Sequence, residues 1–392
     1  MTGFQNSKVV RPFGIVNGGG RCSSPKAPDR ACRLLYLVGK LGRGGAERQL
    51  CYLLQAMDRE RYRPAVVVWD HSPDGVLTHE VAALGIPMHF FPHGVPRATK
   101  LREVRRLTRQ LEPEVIHSYY FYTNFGAYWA ALGTKAVVLG SSRSDFAEEK
   151  KGNGVLLGRL SARWPRQQIS NSFASAEKAR SSRGIFCPKQ VFVVRNGVDL
   201  ERFCNVIGSA VGKTCIVGVG SLLPYKRWDR LLKIVQQVKR KGGTCKVRIA
   251  GDGPERTSLE RQAEDLGISE CVQFVGPIDD VPGFLDKARF VLHTSDTEGS
   301  PNTVIEAMAC GRAVVAMDAG DIRLLVEDGK TGFVVLRGDE VTFAQRVLQL
   351  LSDDGLCSRM GEAARAKAKR ELGLARFVHE TLNAYRAAGW KD

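Results

Sequence analysis

The sequence contains no apolar run approaching the ~18–20 residues that a bilayer-spanning helix needs. Residues 1–30 hold Gly, Pro, Ser and basic side chains but no apolar core segment, so no secretory signal is legible. The ten cysteines are scattered, and none stands in a C-x-x-C pair, which removes zinc-ribbon and thioredoxin-type chemistry. Without an export signal they read as reduced thiols, mostly in the core. No histidine pair has metal-ligand spacing and no D-x-D occupies a strand-end loop; Asp279-Asp280 reads as the start of a helix. The expectation is no metal and no cofactor. Acidic residues are scarce in the first half: residues 1–200 carry 30 Lys+Arg against 15 Asp+Glu, whereas residues 201–392 carry 28 against 26. The asymmetry suggests an anionic partner for the first half, either nucleic acid, membrane surface or phosphorylated substrate, with a solubilising surface as the plainer reading.

What is present is ordinary for a globular protein of two or three domains: 392 residues, 43% hydrophobic and 25% charged. After a tail over residues 1–30, short apolar runs at Leu34–Val38, Pro64–Trp69, Val115–His117, Ala136–Leu139, Gln168–Ser170 and Val191–Val194 alternate with helical stretches. A second series follows Phe203, with strands at Cys215–Val219, Cys245–Ala250, Val272–Val275, Phe290–His293 and Ala313–Ala316, and helices at Trp228–Arg240, Pro254–Leu266, Val281–Ala288, Asn302–Cys310 and Ile322–Glu327. This alternation means parallel sheets covered by helices on both faces. Turn residues and low periodicity place a linker around Asn196–Gly212. The expected domains are residues 31–205 and 206–374, with a C-terminal helix over 375–392 returning to the first. Two such sheets in tandem leave a cleft faced by strand C-termini, where ligands bind in open α/β sheets.

The most informative stretch is TSDTEGSPNTVIEAMACG, residues 294–311. A strand ends near His293, a polar loop follows, and Ser300 as N-cap with Pro301 at the first helical position would begin a helix. Free N–H groups at such a start suit a phosphate. Glu298 in the loop and Glu306, about one and a half turns into the helix, can reach one elongated ligand whose hydroxyls they accept. Lys226 suits a leaving group that gains negative charge. The loop GRGGAER brings Gly44 and Gly45 to another helix start, where a phosphate can approach the backbone. Each feature also has a bland reading as a loop charge, a solvated cation or an ordinary turn. His117 and Arg143 fall at predicted strand ends, and Tyr119 follows His117 closely.

Taken in order, GRGGAER (42–48), IHS (116–118), NGVDLERF (196–203), VGSLLPYKRWDRLL (219–232), IAGDGPE (249–255), the 294–311 run and LVEDGKTGFVV (325–335) resemble the retaining glycosyltransferases of family 4. The resemblance covers nearly all of the chain after residue 33. It implies the GT-B architecture, two Rossmann-like domains with a deep inter-domain cleft, and a nucleotide-sugar donor. A UDP-sugar is favoured, although GDP- and ADP-sugars occur in the group. In this reading Glu306 holds the donor ribose, Glu298 the donor sugar near its 3- or 4-hydroxyl, and Lys226 the diphosphate. Gly44, Gly45, Ser221, Arg227, Gly251, Gly253, Ser300, Pro301, Asn302 and Thr303 complete the donor site. His117, Glu298 and Lys226 form the catalytic set, while Tyr119 and Arg143 face the acceptor. Family members usually have Arg where this chain has Ser221, and Arg227 is the candidate replacement. The resemblance also implies metal-independent, retaining transfer to a glycan or lipid-linked hydroxyl.

The stretches around Arg102, Arg105, Arg106 and Arg109, and around Val155–Arg166, read as basic amphipathic helices able to lie on an anionic membrane. The location expected is cytoplasmic, with peripheral attachment at the inner face of the inner membrane. A nucleotide-sugar epimerase shares the architecture and is the alternative. A nucleic-acid-binding protein is the alternative from another class, although no recognition motif accompanies the charge, so no nucleic-acid partner is expected.

Overall fold

The computed structural model describes residues 32–70, 75–203 and 215–391. The tail expected over 1–30 lies outside them, as does most of the second half of the expected linker. The chain divides into two compact units. The first comprises residues 1–170, 176–194 and 378–392, and the second residues 171–175 and 195–377.

The first unit holds seven strands: β1 (Cys32–Val38), β2 (Tyr62–Val68), β3 (Met88–Phe90), β4 (Val115–Ser118), β5 (Val137–Ser142), β6 (Gln167–Ser170) and β7 (Gln190–Val193). They pair in parallel in the order β3-β2-β1-β4-β5-β6-β7. The second unit holds β8 (Cys215–Val219), β9 (Lys246–Ala250), β10 (Val272–Gly276), β11 (Ala288–His293), β12 (Ala313–Met317) and β13 (Gly332–Val335), in the parallel order β10-β9-β8-β11-β12-β13. Both sheets reverse direction between their first and fourth strands. That switch point opens a crevice at the strand C-termini, the usual ligand position of a doubly wound sheet.

The sequence pattern forms these elements because strands buried on both faces need uninterrupted apolar runs and their covering helices need one apolar stripe. Trp228–Arg240 shows the second rule: Trp228, Leu231, Leu232, Val235 and Val238 are buried beside Ile216, Ile249 and Leu292. Two edge strands, β3 and β13, are not among those expected from the sequence. The stretch 196–203 is packed into the second unit and does not hang as a linker. Val198 and Phe203 enter its core, and the Val198 amide donates to the Leu372 carbonyl at 2.8 Å. The unit division therefore falls between Val194 and Arg195, ahead of the 205/206 boundary read from composition.

Asn171–Ser175 also belongs to the second unit, where the buried Asp321 carboxylate accepts from the amides of Phe173 and Ala174 at 2.8 and 2.9 Å. The last helix, Leu374–Ala387, starts in the second unit and joins the first from Val378 on. The helix Val155–Arg163 buries Gly158, Ser161 and Ala162 and leaves Leu156 exposed. Arg105, expected on an exposed basic stripe, donates to the Leu132 carbonyl and lies over the Trp129 ring.

Gly251 shows how tightly the strand-end loops of the second unit meet. Its φ is +141°, and a Cβ there would stand 1.9 Å from the Gly220 carbonyl oxygen. Gly242, at φ +80°, would meet nothing within 4 Å. Gly251→Ala is expected to cost about 2–4 kcal/mol of unfolding free energy, against about 1 kcal/mol for Gly242→Ala. Urea unfolding of the two variants measures the difference.

Candidate active site

The second unit assembles a charged cluster where β8 and β11 lie side by side. After β8 the chain makes a single turn, Pro224–Lys226, and Arg227 then takes the left-handed conformation at φ +55° before the helix Trp228–Arg240 begins. After β11 it runs through Thr294–Gly299. The two loops are laced together: Asp296 N–H donates to the Tyr225 carbonyl at 2.9 Å, and the Thr294 hydroxyl donates to the Lys226 carbonyl at 3.1 Å. Arg227 donates to Asp229 and, at 2.7 Å, to Asp296, while the buried Arg230 pairs with Asp296 at 2.8 Å and donates to the Thr294 carbonyl. Burial works to raise the Asp296 carboxyl, but the Arg227 and Arg230 guanidiniums outweigh it and hold it below its usual range.

The lacing sets Lys226 against Glu298. The ammonium donates to Glu298 Oε1 at 2.6 Å, with the carboxylate side chain only 10% exposed. His293, the last residue of β11, places Nε2 3.2 Å from the same oxygen. A carboxylate only accepts, so this contact is satisfied by the tautomer carrying its proton on Nε2. Burial raises the Glu298 carboxyl, yet the Lys226 charge and the His293 N–H dominate and depress it to about 2. Two further polar atoms nearby, His293 Nδ1 and Ser300 Oγ, are buried without a protein hydrogen-bond partner among the described residues. Sequence reasoning missed His293, and the only signal for it was a polar residue closing an apolar strand.

The helix following this loop spans Asn302–Ala309 with Pro301 as its N-cap residue, one position beyond the expected Ser300 cap. The Ser300 carbonyl accepts from Asn196, whose Nδ2 also meets Asn302 Oδ1 at 2.7 Å. Thr303 Oγ1 donates to the Val219 carbonyl at 3.0 Å and ties the helix to the end of β8. Glu306 lies one turn on and is half-buried. Gly251 and Gly253 press the loop after β9 onto Gly220 and Leu222, beside Ser221. The structure thus gathers Ser221, Lys226, Gly251, Gly253, Glu298, Ser300, Pro301, Asn302, Thr303 and Glu306 around one end of one sheet. Arg227, the expected replacement for the arginine missing at Ser221, pairs with Asp229 and Asp296.

In the first unit, Gly44 is the N-cap of the helix Gly45–Ala56, and a Cβ there would lie 2.1 Å from Glu47 Oε2. A side chain at this position would have to displace the buried Glu47 carboxylate. His117 ends β4 in a fully buried network: Nδ1 meets Tyr385 Oη at 2.8 Å and Nε2 meets Ser141 Oγ at 3.0 Å. With Tyr385 donating to Tyr36 at 3.3 Å, the network closes when Nδ1 carries the proton and Ser141 donates to Nε2. Burial, with the nearby Arg143 charge, holds the imidazole well below its usual range and keeps it neutral. Both ring nitrogens are engaged inside the first unit, which runs against the catalytic expectation for His117. Tyr119 is buried as well, beneath the Arg143 guanidinium at 3.9 Å from its ring centroid, which runs against its expected place facing an acceptor. Glu149, absent from the sequence reading, accepts from Ser142 Oγ at 2.6 Å and from Arg143 N at 3.2 Å, and burial pushes its carboxyl up to about 7. Among the described residues no cluster of three or more His, Cys, Asp or Glu side chains is arranged to hold a metal ion.

Comparison with known proteins gives this geometry its class. The fold is that of the GT-B glycosyltransferases: Anabaena HepE in complex with UDP-glucose superposes with a TM-score of 0.76 at 20% identity, covering 91% of this chain and 99% of HepE. The galactosyltransferase WaaB of the lipopolysaccharide outer core, in its apo form, gives a TM-score of 0.70 at 16% identity over 91% of this chain and 99% of WaaB. Residues 43–202 match the Glycosyltransferase Family 4 model, and residues 201–367 match Glycosyl transferases group 1. The chain belongs to the group 1, family 4 type of glycosyltransferases. A Campylobacter jejuni α-1,4-N-acetyl-D-galactosaminyltransferase, whose name gives an undecaprenol-diphosphate-linked trisaccharide as acceptor, is 24% identical over 345 residues, 86% of this chain and 94% of that protein. The Bacillus anthracis N-acetyl-α-D-glucosaminyl L-malate synthase is 31% identical over 51% of each chain. The match spans about half the length of the first curated relatives.

The depressed Glu298 carboxyl makes a prediction about acid stability. An unpaired Glu titrates near ~4.3, so the stability contributed by Glu298 is fully present above about pH 4 and is lost as pH falls through about 2. Between those limits the wild type is expected to lose up to about 3 kcal/mol that Glu298→Gln does not lose. Urea midpoints of both proteins, taken from pH 5 to pH 2, report it.

Proposed function

We propose that this chain transfers a sugar from a nucleoside-diphosphate sugar, with UDP as the favoured nucleotide, to a hydroxyl of a glycan or lipid-linked acceptor, with retention of anomeric configuration. The observation that carries this reading is the Lys226–Glu298–His293 cluster beside the N-terminus of the helix Asn302–Ala309. One strand-end crevice there offers a cation, a helix N-terminus and carboxylates, matching the diphosphate, the sugar hydroxyls and the ribose of one elongated donor. UDP complexes of the HepE fold relative and the lipid-linked acceptor named for the Campylobacter relative support the choice of substrates.

In this mechanism Glu306 accepts from the ribose hydroxyls and Glu298 from a hydroxyl of the transferred sugar. The Lys226 ammonium, held by Glu298 before the donor arrives, turns to the diphosphate. As the C1–O bond to phosphate breaks, charge grows on the leaving diphosphate, and a fixed cation stabilises that growth. The acceptor oxygen attacks C1 from the same face, and its proton passes to the departing phosphate oxygen. The products are the α-glycoside, when the donor is an α-linked sugar nucleotide, and the nucleoside diphosphate. No carboxylate base is needed and no metal enters the scheme, so turnover is expected to survive EDTA. The first unit supplies the acceptor side, with Arg143 at the end of β5 as its contact. The enzyme works in the cytoplasm, at the inner face of the membrane when its acceptor is lipid-linked.

A thermal-shift panel of UDP, GDP, ADP and common UDP-sugars tests the donor site. The matching nucleotide is expected to add about 2.7 kcal/mol at 100 times its dissociation constant, and Glu306→Ala is expected to abolish the shift. Lys226→Ala is expected to lower kcat by about 10²–10³-fold. No shift with any nucleotide at millimolar concentration sinks the reading, and conversion of a UDP-sugar to its epimer without acceptor would replace it.

A further inference from the structure

Few large apolar side chains of the described residues are strongly exposed, and the three most exposed stand close together in the first unit: Leu156 at 73%, Val155 at 71% and Ile185 at 68%. Val155 and Leu156 open the helix Val155–Arg163. Its opposite face is fixed inward, because a Cβ on Gly158 would lie 2.1 Å from the Lys150 carbonyl oxygen. Leu156, Arg159 and Arg163 share the outward face at i, i+3 and i+7. Three contacts bring Ile185 and Phe186 to that face. Arg163 donates to the Ile185 carbonyl at 2.7 Å, Lys150 donates to the Phe186 carbonyl at 2.8 Å, and the Arg159 guanidinium lies 5.4 Å from the Phe186 ring centroid. The charge along these two stretches is basic. Residues 150–166 hold five Lys or Arg and residues 178–189 hold four more, of which Lys178 pairs with Asp145, with no Asp or Glu in either stretch.

We infer that this tip is a membrane-docking surface: Val155, Leu156 and Ile185 enter the headgroup–acyl boundary of an anionic bilayer while the surrounding cations meet its phosphates. An exposed apolar tip inside a predominantly basic rim suits that interface, because apolar burial and anionic attraction act on the same few ångströms. A nucleic acid would use the cations but gain nothing from three aliphatic side chains. The inference deepens the proposal of a lipid-linked acceptor by naming where the enzyme meets the lipid. It also separates this surface from the Arg102–Arg109 stripe, whose Arg105 and Arg106 are engaged with Leu132 and Glu103 and which presents no comparable apolar tip.

Flotation of the full chain with vesicles tests it. One set is pure phosphatidylcholine, and the other contains about one-third phosphatidylglycerol. The wild type is expected to float with the anionic vesicles only, and less so as salt rises. Leu156→Ser with Ile185→Ser is expected to lower the partition coefficient at least tenfold, on the order of the loss of two aliphatic side chains. Lys151→Ala with Arg183→Ala is expected to lower it about fivefold per charge, whereas Arg102→Ala with Arg109→Ala changes it less. Every variant is expected to keep the wild-type thermal shift with UDP, which shows that folding and the donor site are intact. Wild-type protein that ignores phosphatidylglycerol overturns the inference, as does full binding by the serine variant. Oligonucleotide binding indifferent to Leu156 and Ile185, without flotation, also overturns it. Absence of any UDP shift in the wild type counts against the proposed donor and leaves the flotation result to be read on its own.

Discussion

The ammonium of Lys226 against the carboxylate of Glu298 is the contact on which the second unit's strand ends depend. The two residues are 72 positions apart and meet only because the doubly wound order sets β11 beside β8. A largely buried ion pair gains little unless its geometry is held and its remaining valences are met. The structure meets both conditions. Asp296, pulled on by Arg227 and Arg230, locks one loop to the other, and His293 supplies a second donor to Glu298. Arg227 accepts a left-handed backbone conformation, normally costing about 1 kcal/mol, and its two carboxylate partners offset that cost. Residues that look redundant in sequence, Lys226 and Arg227, thus do different work: one faces the crevice and the other fastens the loop.

The first unit applies the same strand order to a different end. Its switch-point residues, His117 and Tyr119, point into a dry aromatic network that Tyr385 completes from the C-terminal helix. A histidine at a strand terminus is chemically suggestive, but here burial keeps it neutral and both ring nitrogens are occupied. Beside it, the buried Glu149 carboxylate accepts from the Ser142 hydroxyl and the Arg143 amide and fixes the end of β5.

Much of the architecture is legible in the chain because doubly wound sheets write themselves in uninterrupted apolar runs. Cys215–Val219 and Trp228–Arg240 can be read to the residue. What escapes the sequence escapes for local reasons. The edge strands β3 and β13 are absent from the sequence reading, and the segment 196–203 is rich in turn residues yet finds a place for Val198 and Phe203 in the second unit's core. The helix starts at Asn302, one residue on from the expected position, and the Ser300 carbonyl accepts from Asn196, more than a hundred positions earlier. Among candidate site residues, those with chemistry and position together, Lys226, Glu298 and Glu306, are found from the motif. The partners that tune them, His293 and Asp296, are not, because an isolated His or Asp at a strand end carries no spacing signal.

The sequence by itself determined the family, the two-sheet plan and the identities of the carboxylates and the lysine, since spacing along the chain and helix-start chemistry are local properties. Only the tertiary structure decided which charged groups meet. It paired Lys226 with Glu298 and Arg227 with Asp229 and Asp296, sealed His117 inside its unit, and turned Leu156 and Ile185 outward together. Each of these outcomes depends on side chains distant in sequence meeting at a few ångströms, where burial and charge set one another's energies.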